Sequence, residues 1–96
     1  MKERKARIIV KGVVQGVGYR FFTERTAKEY KLTGYVKNLP TGDVEVVVEG
    51  DEGMILAFIE RLRVGPRLAK VTDIKVEWSE PTYEFDDFKI KFEWDF

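Results

Sequence analysis

The stretch ARIIVKGVVQGVGYRFFTERTAKEY, residues 6–30, changes its periodicity across three glycines between residues 12 and 18. Before the glycines, every second residue from Ala6 to Val10 is apolar, which predicts a half-buried strand. After them, apolar and small side chains recur at helical spacing from Phe22 to Tyr30, which predicts an amphipathic helix over residues 19–30. The stretch therefore predicts a strand, a tight glycine loop and a helix, in that order.

Two strands joined by a short loop are predicted after this helix. Gly34 is placed in the turn that leaves the helix, and residues 35–38 form a short strand. The loop Leu39-Pro40-Thr41-Gly42 contains the proline and glycine of a hairpin turn. Valines then alternate with glutamates from Val44 to Glu49, which predicts the second strand of that hairpin.

A second helix and two more strands complete the predicted elements. Asp51 is a favourable N-cap, and Gly65-Pro66 is a stop signal for a helix between them. The apolar stripe of this helix is formed by Ile55, Phe58, Ile59 and Leu62. The strands are predicted from two alternating sets, which are Thr72, Ile74, Val76 and Trp78, and then Phe88, Ile90, Phe92 and Trp94.

The order of these elements predicts an α+β fold of the ferredoxin-like type. It is a split βαβ sandwich, βαββαβ plus a C-terminal strand, with two helices packed on one face of a mainly antiparallel sheet. We expect residues 1–96 to form a single domain, since no linker or repeat divides them. This fold hosts enzymes, regulatory modules and RNA-binding domains, so it does not select a function by itself.

Composition excludes several kinds of chemistry. The 96 residues contain no cysteine and no histidine, so disulfides, thiol nucleophiles and cysteine zinc sites are excluded. Any catalysis must use arginine, lysine, carboxylates, amides, hydroxyls or backbone groups. The longest apolar run, residues 54–59, is far shorter than the roughly 20 residues that cross a bilayer. We therefore expect no membrane partner, and because residues 1–5 do not begin a signal peptide, we expect a cytoplasmic protein.

The charges balance overall but are unevenly distributed. The chain has 17 basic and 17 acidic residues, which argues against a dedicated nucleic-acid binder. Residues 1–31 nevertheless carry nine basic and three acidic side chains. This asymmetry indicates either an uneven solvated surface or a positive field that attracts a small anion.

The loop between the first strand and the first helix could bind an anion. Glycines permit a backbone turn in which free N–H groups at a helix N-terminus converge on a phosphate, and Arg20 could add a guanidinium. The loop lacks the Gly-Lys-Ser/Thr of a Walker motif and the last glycine of a dinucleotide-binding motif. Glycine spacing alone leaves two readings open, an anion site or a tight connection beside an exposed arginine.

Three segments of the sequence resemble the acylphosphatases. They are GVVQGVGYRF at residues 12–21, GYVKN at residues 34–38 and GDVE at residues 42–45. They occur in the order and at the separation typical of that family, and the resemblance covers almost the whole chain. There are two departures: Lys37 stands where the family often has arginine, and residues 92–96 continue past the point where many members stop.

The resemblance implies an enzyme that hydrolyses the mixed anhydride of a carboxylic acid and phosphate, with no cofactor, no metal and no covalent intermediate. Arg20 and Asn38 are the catalytic residues that it implies: Arg20 holds the phosphoryl group, and Asn38 orients the attacking water. It also implies phosphate binding by backbone amides, those of Gln15, Gly16, Val17, Gly18, Tyr19 and Arg20.

The same resemblance sets expectations about partners. The substrate is a small-molecule acyl phosphate, and inorganic phosphate is a product and a competitive inhibitor. We expect a monomer with no nucleic-acid partner. Similar domains form part of larger carbamoyl-transfer maturation proteins, but we expect this chain of 96 residues to act alone.

The missing histidine fits this chemistry. The leaving carboxylate has a conjugate acid with a pKa of about 4, so it departs at pH 7 without a general acid. Two non-enzymatic readings compete with this one. An RNA-recognition domain would display aromatic residues on its two central strands, and neither residues 6–10 nor residues 44–49 contain one. A small-molecule sensing or protein-interaction module would bind phosphate without turnover.

Overall fold

A computed structural model describes residues 2–92 of the chain. Five strands and two helices follow one another in the predicted order. They are β1 (Glu3–Val13), α1 (Tyr19–Glu29), β2 (Thr33–Asn38), β3 (Val44–Asp51), α2 (Glu52–Val64), β4 (Lys70–Ser79) and β5 (Phe88–Lys91).

The strands form one sheet in the order β4-β1-β3-β2-β5. Every neighbouring pair is antiparallel except β2 and β5, which run parallel. The mainly antiparallel sheet with two helices confirms the predicted ferredoxin-like α+β fold. Neither helix is long and apolar enough to cross a bilayer within the described residues.

One side of the sheet carries the apolar core. The pairing of β1 with β3 sets Ala6, Ile8 and Val10 opposite three valines of β3, and all six side chains are fully buried. Each of the five buried valine and isoleucine side chains stabilises the fold by roughly 1.5–3 kcal/mol relative to exposure. The helices complete this core with Tyr19, Phe22, Ala27, Ile55, Phe58, Ile59 and Leu62. Both helices therefore cover the same face, and the stripe predicted for α2 is confirmed.

The opposite face of the sheet buries a carboxylate. Glu49 of β3 is only 5% exposed, because the segment between β4 and β5 crosses over it. Its oxygens accept hydrogen bonds from the amides of Thr82 and Tyr83, both at 2.9 Å, and from the Thr82 hydroxyl at 2.7 Å. The alternation of valine and glutamate in β3 thus marks two buried faces, each with its own chemistry.

Gly34 does not form the turn after the first helix, so that prediction was wrong. Gly34 lies inside β2 with a φ of 138°, and a Cβ atom there would collide with the carbonyl oxygen of Val47. Lys31 makes the turn instead, with a left-handed φ of 59°. Glycine is needed at position 34 because β2 and β3 approach each other too closely for a side chain.

The predicted burial of Thr72 was also wrong. Thr72 is exposed, because the pairing of β1 with β4 shifts between Lys11 and Gly12 and puts Val71 on the half-buried side. Phe21, in the first turn of α1, is 63% exposed. The last strand ends at Lys91, and Trp94 lies outside the described residues.

Substitution of Glu49 by glutamine is expected to destabilise the fold in a pH-dependent manner. Burial acts to raise the pKa of Glu49, but the hydrogen bonds from Thr82 and Tyr83 outweigh it and hold the pKa below its ordinary value. The ionised group therefore stabilises the fold at pH 7, and this contribution is lost as the pH falls from about 5 through the folded-state pKa. We expect Glu49→Gln to lower the free energy of unfolding by about 1.5–3 kcal/mol at pH 7.

Urea unfolding at pH 7 and at about pH 2 measures this difference. Glu77→Gln is the matched control, since Glu77 lies exposed on β4, and it should change stability by less than about 0.5 kcal/mol. An equal loss for Glu49→Gln at both pH values would show that the charge of Glu49 does not stabilise the fold.

Candidate active site

Three strand ends meet at one end of the sheet. Val44, the first residue of β3, pairs with Val10 of β1 on one side and with Asn38, the last residue of β2, on the other. Neighbouring strands lie about 4.8 Å apart, so Val10 is roughly 10 Å from Asn38 across the sheet, and β1 ends three residues later, at Val13. The loop that follows β1 therefore leaves the sheet close to the end of β2.

This loop has the conformation of an anion-binding turn. Gly16 and Gly18 both have left-handed φ angles, 74° and 79°, and Gly18 is the N-cap of α1. A Cβ at either position would meet no atom within 4 Å, so glycine is favoured there by backbone conformation and not by lack of space. Left-handed residues in a tight turn direct successive N–H groups into one concavity.

The N-terminus of α1 lacks the acidic groups that occupy the same place in α2. Asp51 caps α2 by accepting a hydrogen bond from the amide of Met54 at 3.1 Å, and Glu52 lies in its first turn. Gly18 provides no side-chain cap, and the first turn of α1 contains no acidic residue. The partial positive charge of about half a unit at this helix end is thus available to an anion.

The backbone amides of the loop are available as well. Apart from hydrogen bonds within helices and strands, no amide from Gln15 to Tyr19 donates to a backbone oxygen of residues 2–92. The first hydrogen bond of the helix, 3.1 Å long, runs from the amide of Phe22 to the carbonyl of Gly18. The part of the predicted phosphate-binding segment from Gln15 to Tyr19 therefore presents amide donors that have no backbone acceptor of this kind.

The side chain of Gln15 attaches this loop to the hairpin that carries Asn38. Its Nε2 donates to the carbonyl oxygens of Leu39 and Asp43, both at 2.9 Å. Sequence reasoning assigned only the backbone of Gln15 and missed this bridge. A glutamine has two N–H donors, which suits it to two carbonyl acceptors, but nothing in the sequence identifies the acceptors.

A second contact attaches the same hairpin to β1. Lys11 forms an ion pair with Asp43 at 2.9 Å, and the Thr41 hydroxyl donates to the same Asp43 oxygen at 3.1 Å. The hydrogen bond from Lys11 holds the pKa of Asp43 below its ordinary value. The turn between β2 and β3 is therefore fixed from both sides, and Asn38 lies at its start.

Arg20 and Asn38 lie at this same end of the sheet. Arg20 is the second residue of α1, which packs against β2 and β5. Asn38 shares the helix-covered face with Val36, because side chains two residues apart in a strand point to the same side. Both side chains are half-buried, and the guanidinium carbon of Arg20 lies 5.0 Å from the centre of the Phe92 ring.

Tyr19 anchors the start of α1. Its ring is 1% exposed, and its hydroxyl donates to the carbonyl oxygen of Leu62 in α2 at 2.7 Å. Burial raises the pKa of the Tyr19 hydroxyl well above its ordinary value, so it remains a neutral donor. This contact fixes the helix end that adjoins the glycine loop.

A depression of about 410 Å³ lies on the other face of the sheet, but its cations are already paired. Arg7 contacts the buried Glu45 at 2.7 Å, and Lys5 lies 3.3 Å from Glu84. A phosphate there would compete with these carboxylates. Residues 2–92 contain no cluster of three or more acidic side chains that could hold a metal ion.

Comparisons with known proteins agree with the geometry. A family model described as Acylphosphatase matches residues 6–90. An acylphosphatase of Geotalea uraniireducens (strain Rf4) is 46% identical over 88 residues, which cover 92% of this chain and 97% of that protein. The crystal structure of acylphosphatase from Bacillus subtilis is 42% identical, with a TM-score of 0.89 over 92% of this chain and 98% of that one.

A longer protein also contains a segment of this kind. The crystal structure of T. kodakarensis HypF is 42% identical to the chain, with a TM-score of 0.82 over 93% of this chain and 12% of that one. The residues that the family model matches include the glycine loop and Asn38. The chain therefore belongs to the acylphosphatase family.

Proposed function

We propose that this chain hydrolyses acyl phosphates at the end of the sheet where α1 begins. The observation that carries the proposal is the N-terminus of α1, which has a glycine cap and no acidic residue and lies at the same end as Asn38. A dianionic phosphoryl group is the ligand that such a helix end favours. Membership of the acylphosphatase family supports an acyl phosphate as the substrate.

The phosphoryl group is bound by main-chain donors and one guanidinium. The amides of Gln15, Gly16, Val17, Gly18, Tyr19 and Arg20 surround its oxygens, and the Arg20 side chain closes the site. The transition state of phosphoryl transfer is loose and carries its charge on the equatorial oxygens, so fixed donors around those oxygens supply most of the catalysis.

Asn38 positions the attacking water. An amide does not titrate near neutral pH, so Asn38 cannot act as a general base, but its side-chain oxygen can accept a hydrogen bond from water. The oxygen of this water forms a bond to phosphorus as the bond between phosphorus and the acyl oxygen breaks. The carboxylate leaves with the bonding electrons, and both protons of the water remain on the phosphate, which departs as dihydrogen phosphate.

This scheme needs neither a metal nor a covalent intermediate. The leaving group is a carboxylate whose conjugate acid has a pKa of about 4, so it requires no protonation at pH 7. The substrate phosphate can accept the proton of the water, and the loop amides and Arg20 supply the electrostatic stabilisation. We further propose that the chain acts as a monomer and that inorganic phosphate competes for the same site.

Hydrolysis of benzoyl phosphate in the presence of a metal chelator tests the proposed function. We expect turnover to survive the chelator and to fall in the presence of inorganic phosphate, with phosphate raising KM and leaving kcat unchanged. Phosphate binding without turnover would favour the sensing module. Complete loss of activity in the chelator, restored by a divalent cation, would contradict the metal-free scheme.

Variants at Arg20 and Asn38 separate binding from turnover. Arg20→Lys should lower kcat/KM by about 10²-fold or more and weaken inhibition by phosphate, because a point charge lacks the planar fork of the guanidinium.

Asn38→Ala should lower kcat by about 10² to 10³-fold, because one preorganised polar group is lost, and phosphate inhibition should change little. An Asn38→Ala enzyme with native turnover would rule out the water-positioning role.

Loss of the Gln15 side chain should weaken the attachment of the glycine loop to the hairpin that carries Asn38. Gln15→Ala removes two hydrogen bonds to the hairpin, each contributing about 1 kcal/mol to stability. We expect kcat/KM to fall about tenfold or more, since a small displacement of the loop from Asn38 disturbs the reacting geometry. Steady-state kinetics and urea unfolding measure the two effects.

Thr26→Val is the control for Gln15→Ala. It removes a buried hydrogen bond, 2.7 Å from the Thr26 hydroxyl to the Phe22 carbonyl, inside α1 and away from the glycine loop. It should reduce stability by about 1 kcal/mol with kcat/KM within about twofold of native. Equal losses of activity in both variants would mean that Gln15 acts only through stability.

A further inference from the structure

The ring of Phe92 lies against the guanidinium of Arg20. The guanidinium carbon is 5.0 Å from the ring centre, within the roughly 6 Å at which a cation is attracted to an aromatic face. Phe92 is half-buried and follows directly after the end of β5 at Lys91. The contact therefore joins the segment after the last strand to the first turn of α1.

Strand pairing brings Phe92 to this position. β5 runs parallel to β2, and Lys91 lies opposite Lys37. The residues that follow this pair are Phe92 after β5 and Asn38 at the end of β2. Phe92 also follows Phe88 and Ile90 at two-residue spacing, and these two side chains face the helices and belong to or pack against the core. The ring thus lies beside the end of β2 and beneath the start of α1.

Stacking on a ring leaves the hydrogen-bonding capacity of a guanidinium intact. All five N–H donors of arginine lie in the guanidinium plane, whereas a ring contacts the face of that plane. An aromatic neighbour can therefore restrict the motion of the long side chain while its donors remain directed at oxygen atoms.

We propose that Phe92 is a positioning residue that holds the Arg20 guanidinium in place for the phosphoryl group. This proposal rests on the phosphate-binding role proposed for Arg20. Phe92 does not contact the reacting atoms; it reduces the conformational freedom that Arg20 would otherwise lose on binding. The ring, and not merely its apolar volume, is the property required.

The test compares Phe92→Leu with Phe92→Trp. Leucine keeps an apolar side chain that covers the end of the sheet but removes the ring, and tryptophan keeps an aromatic face. We expect Phe92→Leu to raise the inhibition constant for inorganic phosphate about 3- to 30-fold, and Phe92→Trp to keep it within about twofold of native. KM for benzoyl phosphate should change in parallel with the inhibition constant.

Ile90→Val is the matched control. Ile90 lies two residues earlier on the same face and packs against the core, so its truncation costs stability without removing a contact to Arg20. The inhibition constant should stay native in this variant. Equal weakening by Phe92→Leu and Ile90→Val, or native inhibition in Phe92→Leu, would overturn the positioning role.

Arg20→Lys separates this proposal from the proposed function. If Arg20→Lys weakens phosphate inhibition and Phe92→Leu does not, only the role of Phe92 is wrong. If neither variant weakens inhibition, the phosphate-binding role of Arg20 is wrong as well. Phe92→Leu should add little to the effect of Arg20→Lys in the double variant, because the two residues act as one unit.

The native protein offers a readout that does not depend on the folding of a variant. Side-chain protons of Arg20 over the Phe92 ring should show an upfield ring-current shift in the proton NMR spectrum. Arg20 resonances at random-coil positions would contradict the stacking in solution.

Discussion

The pairing of β3 with both β1 and β2 is the constraint on which the arrangement of the site depends. Val44 has Val10 on one side and Asn38 on the other, so the glycine loop and the last residue of β2 must occur at the same end of the sheet. A shift of one residue in either pairing would turn Asn38 to the opposite face. Gln15 and Lys11 then hold the loop and the strand end to the hairpin.

The charged side chains on the far face of the sheet are paired within the fold, whereas the start of α1 has no acidic group. On the far face, Lys5 and Arg7 form ion pairs with the buried Glu49 and Glu45, and these pairs stabilise the sheet. At the start of α1, the fold leaves backbone amides and a helix end without an acidic cap. The excess of basic residues near the N-terminus of the sequence is thus partly a structural feature.

The fold could be predicted from the sequence because the apolar period of each element and the order of the elements indicate the same architecture. The alternation in β1 and the stripe of α2 appear in the burial pattern as predicted, whereas residues 44–49 of β3 are buried on both faces. Gly34 was misassigned because a glycine required by close approach of two strands looks in sequence like a glycine in a turn. The exposure of Thr72 depends on a shift in strand pairing, which no period in a single strand reveals.

The candidate site was predictable in part. The motif resemblance indicated Arg20, Asn38 and the loop, whereas the bridge from Gln15 and the contact of Phe92 depend on which segments become neighbours.

Titration of the ¹⁵N-labelled protein with inorganic phosphate tests most directly whether the loop amides surround a phosphoryl group. We expect the largest shifts at the amides of residues 15–20; saturation with shifts confined to Lys5 and Arg7 on the far face would show that phosphate binds elsewhere.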